Sequence, residues 1–238
     1  MRSVVITDIH SNIYALEQVL DDIETRDVDQ IVCAGDLVGY APFPNQVIDK
    51  IKQEEIQTVQ GNYDDAVGND RIACGCDYMT EREKKIGLSS LQFTGEETTA
   101  ENKKFLQNLP QEIKLELEDY TALVVHGSPR RSNEYLYADS EEVEEVAAEL
   151  KEDILICGHT HLPYHQVING KHIINAGSIG KPKHGNANGV YTIVEVDDNG
   201  VKTEFIEVAY PVEKVTAKIK ETELADELIE VLKTGKGL

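Results

Sequence analysis

The first sixty residues alternate apolar strands with amphipathic helices, and this alternation limits the fold more than any other feature. Apolar runs at residues 4–6, 29–34 and 56–59 are typical of buried strands. The residues between them carry apolar side chains at helical spacing, namely Ile13, Leu16, Val19, Leu20 and Ile23, then Val47, Ile48 and Ile51. Strands joined through helices in this way pair in parallel with right-handed crossovers. We therefore predict an α/β protein.

Polar side chains directly follow each of these strands. Asp8 and His10 come after the first strand, Asp36 after the second and Asn62 after the third. Ligands bind beyond the carboxyl ends of parallel strands, so these side chains are expected to converge. Because Asp8 and His10 are two residues apart, we expect them to point to the same side of an extended chain. Asp36 is interpreted as the bridge between two metal ions.

The second half of the chain repeats the pattern and then changes. An apolar run at residues 121–125 ends at His126, and another at 154–157 ends at Gly158-His159-Thr160-His161. After that, Asn169-Gly170 and Asp198-Asn199-Gly200 predict tight hairpin turns between antiparallel strands. The polar segment 65–109 is predicted to be helix and loop beside the cleft, and 212–232 to be one or two amphipathic helices. Two sheets packed face to face, with helices outside, are expected.

Length and charge exclude several classes of protein. With 238 residues and no linker-like stretch, we expect a single domain over 1–238. The net charge of −21 disfavours nonspecific nucleic-acid binding, which needs a basic face. The apolar runs are too short to span a membrane, and the first residues lack the apolar core of a signal peptide. A cytoplasmic protein without a membrane partner is expected, and a homo-oligomer stays open.

Four cysteines are too few for a disulfide framework in a chain of this length. Cys33 and Cys157 lie within apolar strands and are interpreted as buried thiols. Cys74-Gly75-Cys76 is a weak metal-binding signal, because no second cysteine pair stands at zinc-site spacing.

Five short blocks follow one another along the chain, namely D-x-H (Asp8, His10), G-D (Asp36), G-N-x-D (Asn62, Asp64), H-G (His126) and G-H-x-H (His159, His161). Together they resemble the calcineurin-like metallophosphoesterase superfamily over residues 4 to about 195. The runs 35–40 and 175–178 resemble its small phosphodiesterase-like branch. The resemblance implies a four-layer α/β/β/α sandwich, with two mixed sheets and flanking helices, over a two-metal centre.

Carried over by motif, the resemblance assigns ligands to two metal ions. The first ion is expected on Asp8, His10, Asp36 and His161. The second is expected on Asp36, Asn62, His126 and His159, with Asn62 and His126 also close to the reacting group. Asp64 is expected to support the ligands or to cap a helix.

The donor types agree with this expectation on chemical grounds. Imidazole, carboxylate and amide donors without thiolate suit Mn, Fe, Ni, Co or Zn, and Mn is our first choice. Two divalent ions, two carboxylates and a bridging hydroxide leave the site with a charge of about +1, which attracts a phosphoryl group. The expected activity is metal-dependent hydrolysis of phosphoesters by a metal-bound hydroxide, with a phosphorylated small molecule as substrate.

Tyr63 departs from the family pattern, which often has histidine at this position. A phenol with its normal pKa near 10 is a poor acid at neutral pH, so we expect a preference for good leaving groups. Tyr63 is either a participant in catalysis or an aromatic residue lining the cleft.

Three further residues are candidates for substrate contact. Asn12 either contacts substrate or caps the helix that follows it, Arg130 either holds a phosphate or is a solvated loop charge, and His184 lies in a glycine-rich loop. His165 and His172 are interpreted as structural.

Two alternative functions remain open on sequence grounds. One is hydrolysis of a phosphoanhydride, such as a dinucleoside polyphosphate or another nucleotide. The other is a non-catalytic interaction scaffold built on the same fold, although the intact set of ligands argues against it.

Overall fold

The computed structural model describes residues 1–237. Within that range the elements follow in the order β1 (Arg2–Ile6), α1 (Ile13–Glu24), β2 (Gln30–Cys33), α2 (Pro44–Gln53), β3 (Gln57–Thr58), α3 (Asn62–Gly68), α4 (Glu81–Glu97), α5 (Ala100–Gln107), β4 (Ile113–Leu117), β5 (Tyr120–Val124), α6 (Glu141–Glu149), β6 (Ile154–Cys157), β7 (Tyr164–Ile168), β8 (Lys171–Asn175), β9 (Gly189–Asp197), β10 (Gly200–Val208), α7 (Val212–Ile219) and α8 (Glu227–Thr234).

The first sheet contains the predicted parallel unit. Its strand order is β10-β9-β1-β2-β3, and β1, β2 and β3 are parallel. Strand β9 pairs antiparallel with β1 and forms the predicted hairpin with β10. The third strand is shorter than the apolar run suggested, because only Gln57 and Thr58 pair with β2. The carboxyl ends of the parallel strands lie at one edge, where Asp8, Asp36 and Asn62 follow.

The second sheet has the strand order β4-β5-β6-β8-β7. Strands β5, β6 and β8 are parallel, whereas β4 and β7 run antiparallel at the two edges. The predicted Asn169-Gly170 turn joins β7 to β8, and both of its residues have positive φ (52° and 80°). His126 follows β5 and the pair His159 and His161 follows β6.

The two sheets pack face to face and bury an aliphatic layer between them. Side chains of both sheets meet in this layer, including Val5, Val32 and Val194 from the first and Val124, Ile156 and Ile174 from the second. The opposite face of the first sheet packs against helices that include α1, α2, α7 and α8. The outer face of the second sheet packs against α6. The predicted four-layer α/β/β/α sandwich is confirmed.

The helices of the segment 65–109 also follow their sequence signals. Thr80 and Glu83 form a reciprocal capping box at the start of α4. Leu91 of α4 and Leu106 of α5 are buried against the first sheet's helical layer. No helix within residues 1–237 combines the length and the apolar character that crossing a bilayer requires.

Candidate binuclear metal centre

One triad of buried side chains joins the end of β1 to the end of β6. Oδ1 of Asp8 lies 3.1 Å from Nε2 of His161 and 3.5 Å from Nε2 of His10. The two imidazole Nε2 atoms are 3.2 Å apart. At most 5% of each side chain is exposed, so water does not screen these groups. The three donor atoms are close enough together to share one ion.

A second triad consists of Asp36, His126 and His159. Oδ2 of Asp36 lies 3.3 Å from Nε2 of His126. Asn62 adds an amide oxygen, since its Oδ1 is 3.1 Å from the same nitrogen of His126. The amide of Asn62 donates from Nδ2 to the carbonyl of Cys74 and to Sγ of Cys76, both at 3.1 Å, which leaves Oδ1 facing His126.

Asp36 connects the two triads. Its Oδ2, already close to His126, is also 3.7 Å from Nε2 of His10 in the first triad. Its other oxygen accepts a hydrogen bond from the backbone N–H of Tyr63 at 2.8 Å. One oxygen is therefore held by the protein, and the other lies between the two groups of donors.

Backbone carbonyls fix the orientation of three of the four histidines. Nδ1 of His10 donates to the carbonyl of Val38 at 2.9 Å, and Nδ1 of His126 donates to Ala34 at 2.8 Å. Nδ1 of His161 donates to the carbonyl of Lys181 at 2.6 Å. A carbonyl only accepts, so Nδ1 of each of these rings carries a proton and Nε2 faces the centre, where its lone pair can bind a metal ion once the ring is neutral.

The donor set fits divalent ions. Oδ1 of Asp8 and Nε2 of His159 are buried and have no hydrogen-bonding partner. The facing Nε2 atoms of His10 and His161 bring two lone pairs together, an arrangement that a shared cation stabilises. A buried polar atom without a partner costs free energy, and coordination to a metal ion removes that cost.

The ligands lie on turns rather than on extended strand ends. Asp8, His10, Asp36, His159 and His161 all have φ between 48° and 64°, in the left-handed region. The expectation that Asp8 and His10 lie on an extended chain is therefore wrong, because both have left-handed backbone. Both side chains nevertheless belong to the same triad. Such strained backbone is concentrated at functional sites, where the surrounding structure holds it.

Two glycines allow these turns to approach the carboxylates. A Cβ on Gly61 would collide with the backbone and side chain of Asp36, and a Cβ on Gly158 would collide with Asp8 and Thr7. Close backbone approach of this kind requires glycine.

The pKa of His126 is raised, whereas the pKa values of His159 and His161 are lowered. Burial lowers the pKa of His126, but the adjacent carboxylate of Asp36 outweighs this effect and raises it to about 10. Burial lowers the pKa of His159 and of His161 to about 3, so these rings are neutral. The surrounding histidines hold the pKa of Asp8 well below its usual value in spite of its burial.

Asp64 supports Asp36 through the backbone. It accepts hydrogen bonds at 2.9 Å from the N–H groups of Asp36, Leu37 and Gly61. Burial and the nearby charge of Asp36 raise the pKa of Asp64 to about 7. The expectation of a supporting role agrees with these contacts.

Tyr63 is buried beside the first triad. Its ring lies 5.5 Å from that of His10 in an edge-to-face arrangement, and its hydroxyl has no hydrogen-bonding partner. Burial raises its pKa well above 10, which weakens it further as an acid. Its catalytic role stays a prediction.

The structure does not bring the three predicted substrate contacts to the centre. Asn12 caps α1 through Ala15 N–H and donates to the carbonyl of Gly180. Arg130 forms ion pairs with Glu134 and Glu145, each at 2.8–2.9 Å. His184 lies 3.7 Å from Glu207, outside the cleft. Their roles in substrate binding stay predictions without a supporting contact. The predicted structural pair, His165 and His172, forms a mutual hydrogen bond.

Sequence reasoning missed the two lysines of the cleft. A cavity of about 470 Å³ opens beside the triads and is lined by both Lys181 and Lys183. The loop that carries them docks onto the end of β1, where Ile179 N–H donates to Thr7 and Gly180 N–H donates to Asp8. The sequence did not indicate that these lysines line a cavity, because a lysine in a glycine-rich loop is usually solvated.

Two candidate metal-binding triads, connected by Asp36, thus lie at the carboxyl ends of parallel strands. A family model for the calcineurin-like phosphoesterase superfamily domain matches residues 1–199. The chain therefore belongs to this superfamily, whose members use divalent metals.

Relatives match along nearly the whole chain. An uncharacterised protein of Methanocaldococcus jannaschii is 32% identical over 250 positions, covering 98% of this chain and 97% of that protein. A metallophosphoesterase structure from Sphaerobacter thermophilus shares 29% identity with a TM-score of 0.79, and covers 99% of both chains. A hypothetical protein from Pyrococcus horikoshii OT3 shares 23% identity and the fold, with a TM-score of 0.84 and 99% coverage of both chains.

Proposed function

We propose that this protein hydrolyses phosphate esters, as a phosphodiesterase or broad-specificity phosphatase, with two divalent metal ions. The observation that carries the proposal is the position of Asp36 Oδ2 between His126 at 3.3 Å and His10 at 3.7 Å. A single carboxylate between two complete sets of donors is the arrangement expected of a two-metal hydrolytic site.

The ligands are assigned as the sequence predicted. Asp8, His10 and His161 would hold one ion, Asn62, His126 and His159 would hold the other, and Asp36 would bridge them. Bound divalent ions lower the pKa of water toward 7 and neutralise charge on phosphoryl oxygens. The protein contributes rigid orientation, since the backbone carbonyls of Val38, Ala34 and Lys181 each fix one imidazole.

Mn²⁺ is our first choice for the metal, with Fe, Ni, Co and Zn as alternatives. The donors are imidazole, carboxylate and amide, which favour borderline ions over soft ones. Cys76 lies near the site but is engaged with Asn62, so no thiolate is assigned as a ligand.

Neither phenol beside the first triad is a strong acid for the leaving group. The rings of Tyr40 and Tyr63 both lie beside His10. Burial raises the pKa of both phenols. We propose that aryl and nucleotide esters are therefore cleaved faster than alkyl phosphates.

The proposed activity is tested with two chromogenic substrates, bis(p-nitrophenyl) phosphate as a diester and p-nitrophenyl phosphate as a monoester, in the presence of Mn²⁺. We expect turnover of at least one of them by the natural sequence and loss of turnover in Asp36→Asn. The matched control is Asp198→Asn, in the hairpin turn between β9 and β10, which should retain full activity. Two bound metal ions without any turnover of esters would instead favour the scaffold alternative.

A further inference from the structure

A cavity lies in front of the candidate metal centre. It is lined by Tyr40, by the segments 76–79 and 131–137 in part, and by the two lysines. Two aromatic contacts join it to the triads. The ring of Tyr135 lies 4.0 Å from that of His159, and the ring of Tyr40 lies 5.0 Å from that of His10. A ligand in this cavity would extend directly from the metal ions.

Lys181 and Lys183 line this cavity, and neither forms an ion pair with a carboxylate within residues 1–237. Lys181 is only 4% exposed, and its ammonium lies 4.2 Å from the centre of the Tyr40 ring. Several other lysines of the described chain pair with acidic residues, as Lys50 does with Glu54 and Lys114 with Glu152. A buried cation without an anionic partner is costly, so the cavity favours an anionic ligand.

Two of the acidic residues on the wall are held by other partners. Glu83 accepts hydrogen bonds from the backbone of Met79 and Thr80 as part of its capping box. Glu134 is held by Arg130 and Arg131. Both carboxylates are therefore engaged by these partners.

The opposite wall presents flat aromatic surface to solvent. Tyr135 and Tyr137 are nearly parallel, with 6° between their planes and 5.7 Å between their centres. Tyr137 is 45% exposed, and Met79 beside the cavity is 88% exposed. Exposed aromatic and methionine side chains at a cleft are typical of binding surfaces, and tyrosine rings stack on nucleobases.

We propose, resting on the proposed function, that the cavity binds a nucleotide that carries at least two phosphates. Its scissile phosphoryl group would lie at the metal centre, the adjacent phosphate would lie on Lys181 and Lys183, and its base would stack on Tyr137. The ligand thus combines an aromatic ring with more negative charge than a simple diester has. This assignment favours a nucleoside polyphosphate over an alkyl or sugar phosphate.

The test measures binding without turnover. The Mn-loaded protein is titrated by calorimetry with α,β-methylene adenosine diphosphate, which resists anhydride hydrolysis, and with methylenediphosphonate, which lacks the nucleoside. We expect the nucleotide analogue to bind roughly tenfold more tightly, the contribution of one stacked base. Tyr137→Leu should remove that difference, while Tyr137→Phe, which keeps the ring, should preserve most of it.

Substitution of a lysine is expected to affect ligand affinity differently from substitution of Tyr137. Lys183→Gln should weaken binding of both ligands by about tenfold, because it removes a contact to phosphate that both share. Lys202→Gln, at an exposed lysine on β10 paired with Asp197, is the matched control and should change neither affinity. Because Tyr137 and Lys183 are not fully buried, these variants are expected to fold, which circular dichroism checks.

The outcomes separate this inference from the proposed function. Equal affinity for the two ligands in the natural sequence, or no effect of Lys183→Gln, would overturn the nucleotide assignment even if chromogenic esters are cleaved. Tight, Tyr137-dependent binding without ester cleavage would support the nucleotide site and count against the proposed function.

Discussion

Oδ2 of Asp36 lies 3.3 Å from Nε2 of His126, and this contact joins the ends of two strands that belong to different sheets. Asp36 follows β2 of the first sheet, whereas His126 follows β5 of the second. The face-to-face packing of the sheets thus sets the distance between the two residues. The metal centre is therefore a consequence of the sandwich, and substitutions that alter the approach of the strand ends are expected to alter metal binding.

Gly61→Ala is expected to displace Asp36. A Cβ at this position would overlap the backbone and the carboxylate of Asp36, so the ligand must move. We predict a loss of about 1–3 kcal/mol in the free energy of unfolding, as for other overpacked sites. A shift of about 1 Å at the reacting centre lowers kcat by roughly 10²-fold.

The control for this substitution is Gly95→Ala. Gly95 lies within α4, and a Cβ there meets no atom within 4 Å. Alanine is the better helix former, so this variant should be as stable as the natural sequence or more so, by up to about 1 kcal/mol. Urea unfolding and ester turnover check both variants. Full activity in Gly61→Ala would show that Asp36 does not need its observed position.

The leaving group should control the rate of ester cleavage. Because burial raises the pKa of Tyr63 well above 10, it is a poor proton donor, and rates over a series of aryl phosphates should fall steeply as the leaving-group pKa rises. Tyr63→Phe should cost far less than the roughly 10²-fold that a general acid contributes. A flat rate profile, or a large loss in Tyr63→Phe confined to poor leaving groups, would assign Tyr63 the role of an acid.

Near pH 8, metal binding should release about one proton per chain from His126, besides any proton that metal-bound water loses. The carboxylate of Asp36 outweighs burial and raises the pKa of His126 to about 10, so the metal-free ring is protonated at this pH. His159 and His161, with pKa values of about 3, are already neutral and release none. Binding of Mn²⁺ requires neutral imidazole, so apparent affinity should rise with pH up to about 10.

Calorimetry in buffers that differ in ionisation enthalpy counts the released proton. The control is His126→Gln, which should bind metal weakly and release one proton fewer than the natural sequence. If the natural sequence releases none, the His126–Asp36 pair does not hold a proton in the metal-free protein.

The ligands could be predicted from sequence, whereas the wall of the cavity could not. Asp8, Asp36 and His126 each follow an apolar run, and parallel strands bring their carboxyl ends together whatever the details of packing. Lys181 and Tyr135 lie in loops, whose positions depend on contacts such as Gly180 N–H to Asp8 and on the packing of Tyr135 against His159. Such contacts leave no periodic pattern in the chain.

The same distinction explains why the sequence did not reveal the ion-pair partners of Arg130. An arginine two residues beyond a predicted ligand loop is well placed for phosphate along the sequence. In the folded chain, Glu134 and Glu145 are closer partners, and they neutralise its charge. The left-handed turns at the candidate ligands were likewise not predictable, since aspartate and histidine, although enriched at positive φ, still adopt negative φ at most positions.

Glu134→Gln should destabilise the protein in a way that depends on pH. Glu134 is 6% exposed and accepts hydrogen bonds from Ser128, Arg130 and Arg131. These partners outweigh burial and lower its pKa below 4.5. The charge therefore stabilises the fold at and above pH 4.5, and this stabilisation is lost as pH falls through the lowered pKa.

Loss of these charged hydrogen bonds should cost about 1–3 kcal/mol at pH 7 and progressively less below pH 4.5. Glu145→Gln, at a side chain that is 61% exposed, is the control and should cost no more than about 1 kcal/mol. Urea unfolding at pH 7 and pH 3.5 measures both differences. A cost for Glu134→Gln that does not change with pH would show that its charge contributes nothing.

The number of metal ions per chain tests the central claim most directly. The protein is loaded with Mn²⁺, freed of excess metal by gel filtration and analysed by mass spectrometry of its metal content. We predict two ions per chain for the natural sequence, one for His161→Ala and fewer than one for Asp36→Ala, because Oδ2 of Asp36 faces imidazole nitrogens of both triads. A natural sequence that binds one ion or none, or an Asp36→Ala variant that keeps two, would contradict the shared-carboxylate centre.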